Sequence, residues 1–262
     1  SVVTIQGTQT GVKSLNVQGE LIINDGTFTV NEKEGIANTV SKLKTSVADA
    51  LSGSGNLTLT GTGSDINGTN KGFTGAVTLG TDSLTTIYDA LGLGKGTIEI
   101  NGTLTANFSA STSGTKHLFE NKISGSDSGS FILQGGDVEI TKDIGDYLGS
   151  FDLATTDTIL KVKSSKTDIT LNVGGSGNFA FTGSGEAPTA VTFSNDAFSG
   201  KATFEKVTLK GSEYKASGST LVLTDGSTYK ADATKLSLGG LTVKDSTLDF
   251  TTSAAQGASE TD

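Results

Sequence analysis

Three groups of side chains in this sequence have the types to do chemistry. The first is Gly125-Ser126-Asp127-Ser128-Gly129-Ser130, whose Asp-Ser-Gly core, with the only histidine, His117, would supply a serine nucleophile and its base. A nucleophile–base–acid triad takes its members from separate strands well apart in the chain, and His117 lies just 11 residues before Ser128. The segment therefore reads as a turn, and no catalytic residue is assigned. A lone histidine in a chain without cysteine cannot build a zinc site either, so His117 is expected on a solvent-facing turn.

The second group is the acidic turns Asn24-Asp25-Gly26 and Asp225-Gly226-Ser227. Carboxylates at turns can hold calcium, but the Gly-Gly-x-Gly-x-Asp repeat that does so in solenoids is missing. Ordinary turn chemistry accounts for them. No metal and no cofactor are expected.

The third group is lysines. Lys161, Lys163 and Lys166 form one cluster, and Lys201, Lys206, Lys210 and Lys215 another. Stacked on one face, they would bind an anionic polysaccharide such as a glycosaminoglycan. Scattered, they would be a solvated face that deters edge pairing.

Composition narrows the classes. The 262 residues carry 28 Asp+Glu against 19 basic residues, all of them lysine, for a net charge of −9. An acidic chain without arginine lacks the clustered cations that neutralise phosphates, which argues against a nucleic-acid partner. No apolar run approaches bilayer-spanning length. With no cysteine, stability must come from burial and backbone hydrogen bonds. The start at Ser1, without a signal peptide, reads as a processed or recombinant fragment of a larger protein.

The positioning elements are short strands. Apolar residues recur two apart, as in Leu57/Leu59, Val77/Leu79, Ile98/Ile100, Phe179/Phe181, Ala202/Phe204 and Leu221/Leu223, with Thr, Ser and Lys between them. That period buries one face of a strand and wets the other. With 36 glycines and one proline, the strands are cut off after about five residues by Gly-, Asn- and Asp-rich turns. A sandwich, an up-and-down barrel and a parallel β-helix all fit such spacing.

An internal repeat favours the β-helix. Gly55-Asn56-Leu57-Thr58-Leu59-Thr60-Gly61 returns closely as Gly177-Asn178-Phe179-Ala180-Phe181-Thr182-Gly183 and loosely as Gly129-Ser130-Phe131-Ile132-Leu133-Gln134-Gly135. Phe73-Thr74-Gly75 follows the first copy as Phe198-Ser199-Gly200 follows the second. Recurrence with a small length change in a polar loop is the mark of a solenoid, with coils of roughly 20 residues. Residues 1–252 are assigned to it and 253–262 to a polar tail.

Two stretches depart from the period. Ile36, Val40, Leu43, Val47 and Leu51 are spaced like a helical stripe, with Asn31 and Glu34 resembling a capping box, so a helical insertion is expected over about 32–51. Leu84, Ile87, Tyr88 and Leu91 after Asp82 suggest a short helix over 83–92 or an irregular corner.

Leu51-Ser52-Gly53-Ser54-Gly55-Asn56-Leu57-Thr58-Leu59-Thr60-Gly61, followed by Phe73 to Leu79, resembles the passenger of a Gram-negative type V autotransporter. Ala90 to Leu104 is similar to the coil that follows in that family, and Ile123 to Gly135 to the start of the next unit. The resemblance covers residues 50–250 and lies in turn spacing and composition. It implies an all-β, right-handed parallel β-helix at the bacterial surface, anchored in the outer membrane in the full-length protein or released. It also implies an adhesin or aggregation factor of virulence or biofilm formation, binding host or matrix glycans and proteins, or itself. A toxin stalk or polysaccharide-acting β-helical enzyme, and a surface-layer β-sandwich, are the alternatives. No convergent carboxylate cluster is visible for the enzyme.

Overall fold

The structure is a computed structural model, and it describes residues 2–5, 9–12, 16–24, 27–30, 38–111, 114–194, 197–211, 219–231 and 238–250. Every strand pairing among them is parallel, and none of them is helical. Leu57–Leu59 pairs in register with Val77–Leu79, and that strand with Ile98–Ile100, in steps of 20 and 21 residues. Parallel strands a full turn apart form a β-solenoid, and this excludes the sandwich. The strands gather into sheets of 17, seven and three strands. The seven-stranded sheet starts at Lys116–Phe119 and runs through Asp137–Asp143, Ile159–Ser164, Asn178–Gly183, Lys201–Glu205 and Thr220–Thr224 to Gly240–Val243.

Alternation does what the sequence requires of it. Each inward residue stacks on its counterpart one coil away, as in Leu160, Phe179, Ala202 and Leu221, all essentially buried. Aromatic rings form two columns. Phe108, Phe119, Phe131 and Phe151 follow one another at centroid distances of 6.3, 5.4 and 6.0 Å, and Tyr147 meets Phe151 edge-on at 4.9 Å. Phe179, Phe193, Phe198 and Phe204 make the other, with Phe193 at 5.7 Å from Phe198 and 5.3 Å from Phe204. Edge-to-face contacts of this kind add to the burial of each ring.

The repeat has a specific structural meaning. Gly53 bridges Phe73 on the next coil, Gly125 bridges Tyr147, and Gly175 bridges Phe198. Beside these bridges, glycines let the coil backbones approach closely. A Cβ added at Gly75 would overlap the carbonyl oxygen of Gly55, one at Gly96 that of Gly75, and one at Gly200 that of Gly177. The two close copies nevertheless lie in different sheets, Leu57–Leu59 in the largest and Asn178–Gly183 in the seven-stranded one. What recurs is a turn, a strand and a close coil contact, rather than one place in the coil.

Both helical expectations are corrected. Asn38–Thr45 is a strand with Val40 and Leu43 fully buried, followed by a turn and the short strand Leu51–Ser52. The register with the preceding coil shifts between Val17 and Glu20, so alternation restarts in mid-strand and apolar residues fall three apart. The suggested cap at Asn31 and Glu34 lies outside the described residues. Leu84–Ile87 is also a strand, held between Thr62–Ile66 and Thr103–Asn107, and a turn follows it. Its backbone finds partners on both neighbouring coils, which four residues of weak helical pattern cannot match. The 253–262 tail lies outside the described residues.

Asparagine satisfies the backbone where coils bend. The fully buried Asn70 accepts from the Leu51 amide at 2.8 Å and donates to the Gly92 carbonyl at 2.6 Å. It thereby spans three successive coils and leaves no cost of an unpaired buried amide.

Candidate functional site

The outward face of the seven-stranded sheet is where the sequence-assigned residues partly converge. Inward positions along each strand are apolar, so the intervening positions project outward. In register they form rows: Glu139, Lys161, Ala180 and Thr203 in one, and Asp143, Lys163, Thr182 and Glu205 in another. Between them lies a shallow depression lined by Glu139, Lys161, Lys163, Ala180, Thr182 and Glu205. Ala180 is its floor, the one small side chain between longer ones.

The lysines do not form a single basic stripe. Lys161 donates to both carboxylate oxygens of Asp137 at 2.9 Å. Lys163 is exposed and stands in register with Asp143. Lys166 sits on the flanking turn, with its stem across Gly145 and its ammonium 3.2 Å from Asp146, which Lys122 also reaches at 2.7 Å. Those two lysines, Lys122 foremost, hold the Asp146 carboxyl below its usual range. Lys201 shares the sheet face, in register with Asn178 and Thr220. Lys206 occupies a left-handed turn after Lys201–Glu205, at φ 54°. Lys210 belongs to Val207–Gly211 in the largest sheet, and Lys215 lies outside the described residues. The face that results is a mixed-charge ladder with acids beside Lys161, Lys163 and Lys166.

Asp143, at the edge of this face, was not singled out in the sequence, and it is the most strongly held acid there. Burial would raise its pKa, but Ser165 donates through both its hydroxyl and its amide at 2.6 Å, Gly145 N–H at 2.7 Å and Ser164 Oγ at 2.8 Å. Together they lower it to about 2. An Asp-x-Gly turn facing a Ser-Ser pair one coil later was the readable signal. Because the folded value is depressed from 3.8, the stabilisation is complete above about pH 4 and lost as pH falls toward 2. Asp143→Asn should cost about 1–2 kcal/mol near neutrality, with partial solvent screening taken into account. Its stability and the wild type's should converge near pH 2, read as denaturation midpoints across pH.

The other assigned motifs resolve as turns or packing. Ser126 and Ser128 share a hydroxyl contact at 2.8 Å, Gly129 N–H donates to the Ser126 carbonyl, and Ser126 N–H to Asn101 Oδ1. At Asp225-Gly226 both residues have positive φ, and Ser227 Oγ donates to the Phe204 carbonyl. Asp25 and Gly26 lie outside the described residues. His117 is corrected from a turn to the strand Lys116–Phe119, where its ring stacks on Phe108. Among the described residues no three His, Cys, Asp or Glu side chains gather as metal ligands.

Chemically, this face can hold a partner by polar contacts repeated rung after rung. Two of its acids, Glu139 and Glu205, lie on strands three rungs apart and in different rows. No described helix is long and apolar enough to cross a membrane. No known protein family, curated protein or solved structure matches this chain.

Proposed function

We propose that this chain is a stretch of an extended β-solenoid displayed outside a Gram-negative cell, acting as an adhesin or cell-aggregation passenger and not as an enzyme. The observation that carries this reading is the outward face of the seven-stranded sheet, a shallow ladder of Glu, Lys, Thr and Ala at one regular spacing. Each rung offers a weak polar contact, and affinity then comes from many rungs, or many copies, engaging at once. The likeness of its turn spacing to autotransporter passengers supports the surface location. The interleaved acids favour matrix proteins, uncharged glycans or a second such surface over a highly sulfated chain, because Lys161 and Lys166 are already paired with Asp137 and Asp146.

The test is to array the chain densely on beads and present sulfated glycans, uncharged matrix glycans, matrix proteins and beads carrying the same chain. Binding or bead clumping should appear at dense display, be weaker by about 10²-fold or more for the monomer in solution, and change little with added salt. No capture of any of these at dense display would remove the adhesin reading. Capture of the sulfated glycan alone, lost in salt, would replace the mixed-charge account with a basic-stripe one.

A further inference from the structure

The stretch Ile-Asn-Gly-Thr occurs twice, at Ile66–Thr69 and at Ile100–Thr103, each time directly after an acid, Asp65 or Glu99. These stretches hold the chain's two Asn-Gly pairs. In such a pair the side-chain amide is open to attack by the next backbone nitrogen, because glycine has no Cβ to crowd that nitrogen. Coil packing demands both glycines. Gly68 has φ +83°, and a Cβ there would stand 3.0 Å from Ala48 Cα on the preceding coil. A Cβ at Gly102 would overlap the Gly80 carbonyl oxygen and stand 2.6 Å from that of Ser83. The labile pair is thereby kept in place at both sites.

Tertiary contacts separate the two asparagines. Asn101 is half-buried and tied at both ends of its amide. Its Nδ2 donates to Glu99 Oε1 at 3.1 Å, and its Oδ1 accepts from the Ser126 N–H at 3.1 Å. Asn67 is exposed. Its backbone is anchored to the preceding coil: its N–H donates to the Thr45 carbonyl at 3.2 Å, and its carbonyl accepts from Thr45 Oγ1 at 3.0 Å. Among the described residues, neither its side-chain amide nor the Gly68 N–H has a hydrogen-bond partner. Both reacting groups are free at 67–68, whereas at 101–102 the amide must first leave two partners.

We propose that Asn67 is a site of spontaneous modification in the folded protein, deamidating through a succinimide, and that the fold protects Asn101 from the same reaction. The Gly68 nitrogen gives its proton to water and bonds to Asn67 Cγ. The Cγ–Nδ2 bond breaks, and Nδ2 takes up a proton from water and leaves as ammonia. Water then opens the ring. Breaking the new N–Cγ bond leaves an aspartate at this position. Breaking the original peptide bond leaves an isoaspartate, with the main chain running through Cγ. Either product adds a negative charge to a chain already at −9. The isoaspartate also lengthens the main chain by one carbon and turns the carbonyl that Thr45 Oγ1 holds into a free carboxylate, which loosens this corner of the coil. The reaction needs only water, so it proceeds whatever the chain binds.

The test is to hold the folded chain and a urea-unfolded sample in mildly alkaline water enriched in oxygen-18, then cleave at lysine. Peptides 45–71 and 96–116 carry the two sites. Uptake of one labelled oxygen at each asparagine is followed by fragmentation mass spectrometry. In the folded chain Asn67 should convert about tenfold or more faster than Asn101, because two hydrogen bonds hold the Asn101 amide back. In urea the identical stretches should convert at similar rates. Glu99→Ala, which frees Asn101 Nδ2, should raise the Asn101 rate in the folded chain. Equal rates at the two sites in the folded chain, faster conversion of Asn101, or no conversion of Asn67 while the unfolded chain converts would each overturn the proposal. The wild-type comparison needs no variant, so a poorly folding Glu99→Ala would not rescue it.

Discussion

Replacing Phe131 with alanine is expected to cost about 3–5 kcal/mol, the largest loss from any single truncation of the core. Phe131 is fully buried in Ser130–Gln134. Its ring meets Phe119 edge-on at 5.4 Å on one side and Phe151 at 6.0 Å on the other. Removing it leaves a void between coils whose backbones are already paired, so neighbouring rings cannot collapse into it without breaking register. Phe131→Leu should recover most of the loss because it refills most of the volume. Each coil contacts only its neighbours, so the damage should be local before it is global. Amide exchange should accelerate first in Thr103–Asn107 and Ser150–Leu153, the strands paired with Ser130–Gln134. Denaturant midpoints for the two variants, with residue-level exchange, check this. Uniform acceleration from end to end would mean that the solenoid unfolds as one unit.

Gly200→Ala is expected to destabilise the same rod by about 3 kcal/mol through the opposite fault, one methyl group too many. The new Cβ would overlap the Gly177 carbonyl oxygen and stand 2.9 Å from the Ser176 carbonyl oxygen. Both are backbone atoms of the preceding coil and cannot rotate away. Lys201–Glu205 pairs with Asn178–Gly183 immediately afterwards, so pushing the coils apart at Gly200 strains that ladder. Gly174→Ala is the matched control. It makes the same change, but its nearest contact is Asp152 Oδ1 at 4.0 Å, and the site lies within a strand. It should be neutral or stabilising by up to about 1 kcal/mol, through a less free unfolded chain. Equal midpoints for the two variants would show that the glycine contact between coils has no energetic role.

These two sites also show how far the sequence could be read. The alternation Phe131/Leu133 and the copies beginning at Gly55, Gly129 and Gly177 were visible as patterns, because strand period and turn chemistry are local properties. Which ring meets which was not. Phe119 and Phe131 touch because coils differ in length, from 20 residues between Ser130 and Ser150 to 27 between Thr103 and Ser130. Each difference resets the register of everything after it. The helical reading of Val40 and Leu43 failed for a related reason. At a shift of register the alternation changes phase, and spacing alone cannot tell that from a helical turn.

The candidate site was legible in part. Lys161 and Lys163 share a face because they are two apart on one strand, and local geometry carries that far. That Asp137 neutralises Lys161 from 24 positions away, that Lys206 and Lys210 leave the face, and that Asp143 is clamped by Ser164 and Ser165 depend on which coil lies beside which. His117 is the sharpest case. Its type and solitude were plain, and they suggested an idle surface residue. Only its stacking on Phe108 makes it one end of an aromatic column.

By itself, then, the sequence determined a chain of short strands, buried on one side and closed by glycine turns. Those are consequences of side-chain period and composition, and no distant contact can alter them. The tertiary structure decided how the strands are partitioned among sheets, which charges cancel and which ring covers which. Those depend on coil length, a sum over many residues in which one insertion moves every later partner.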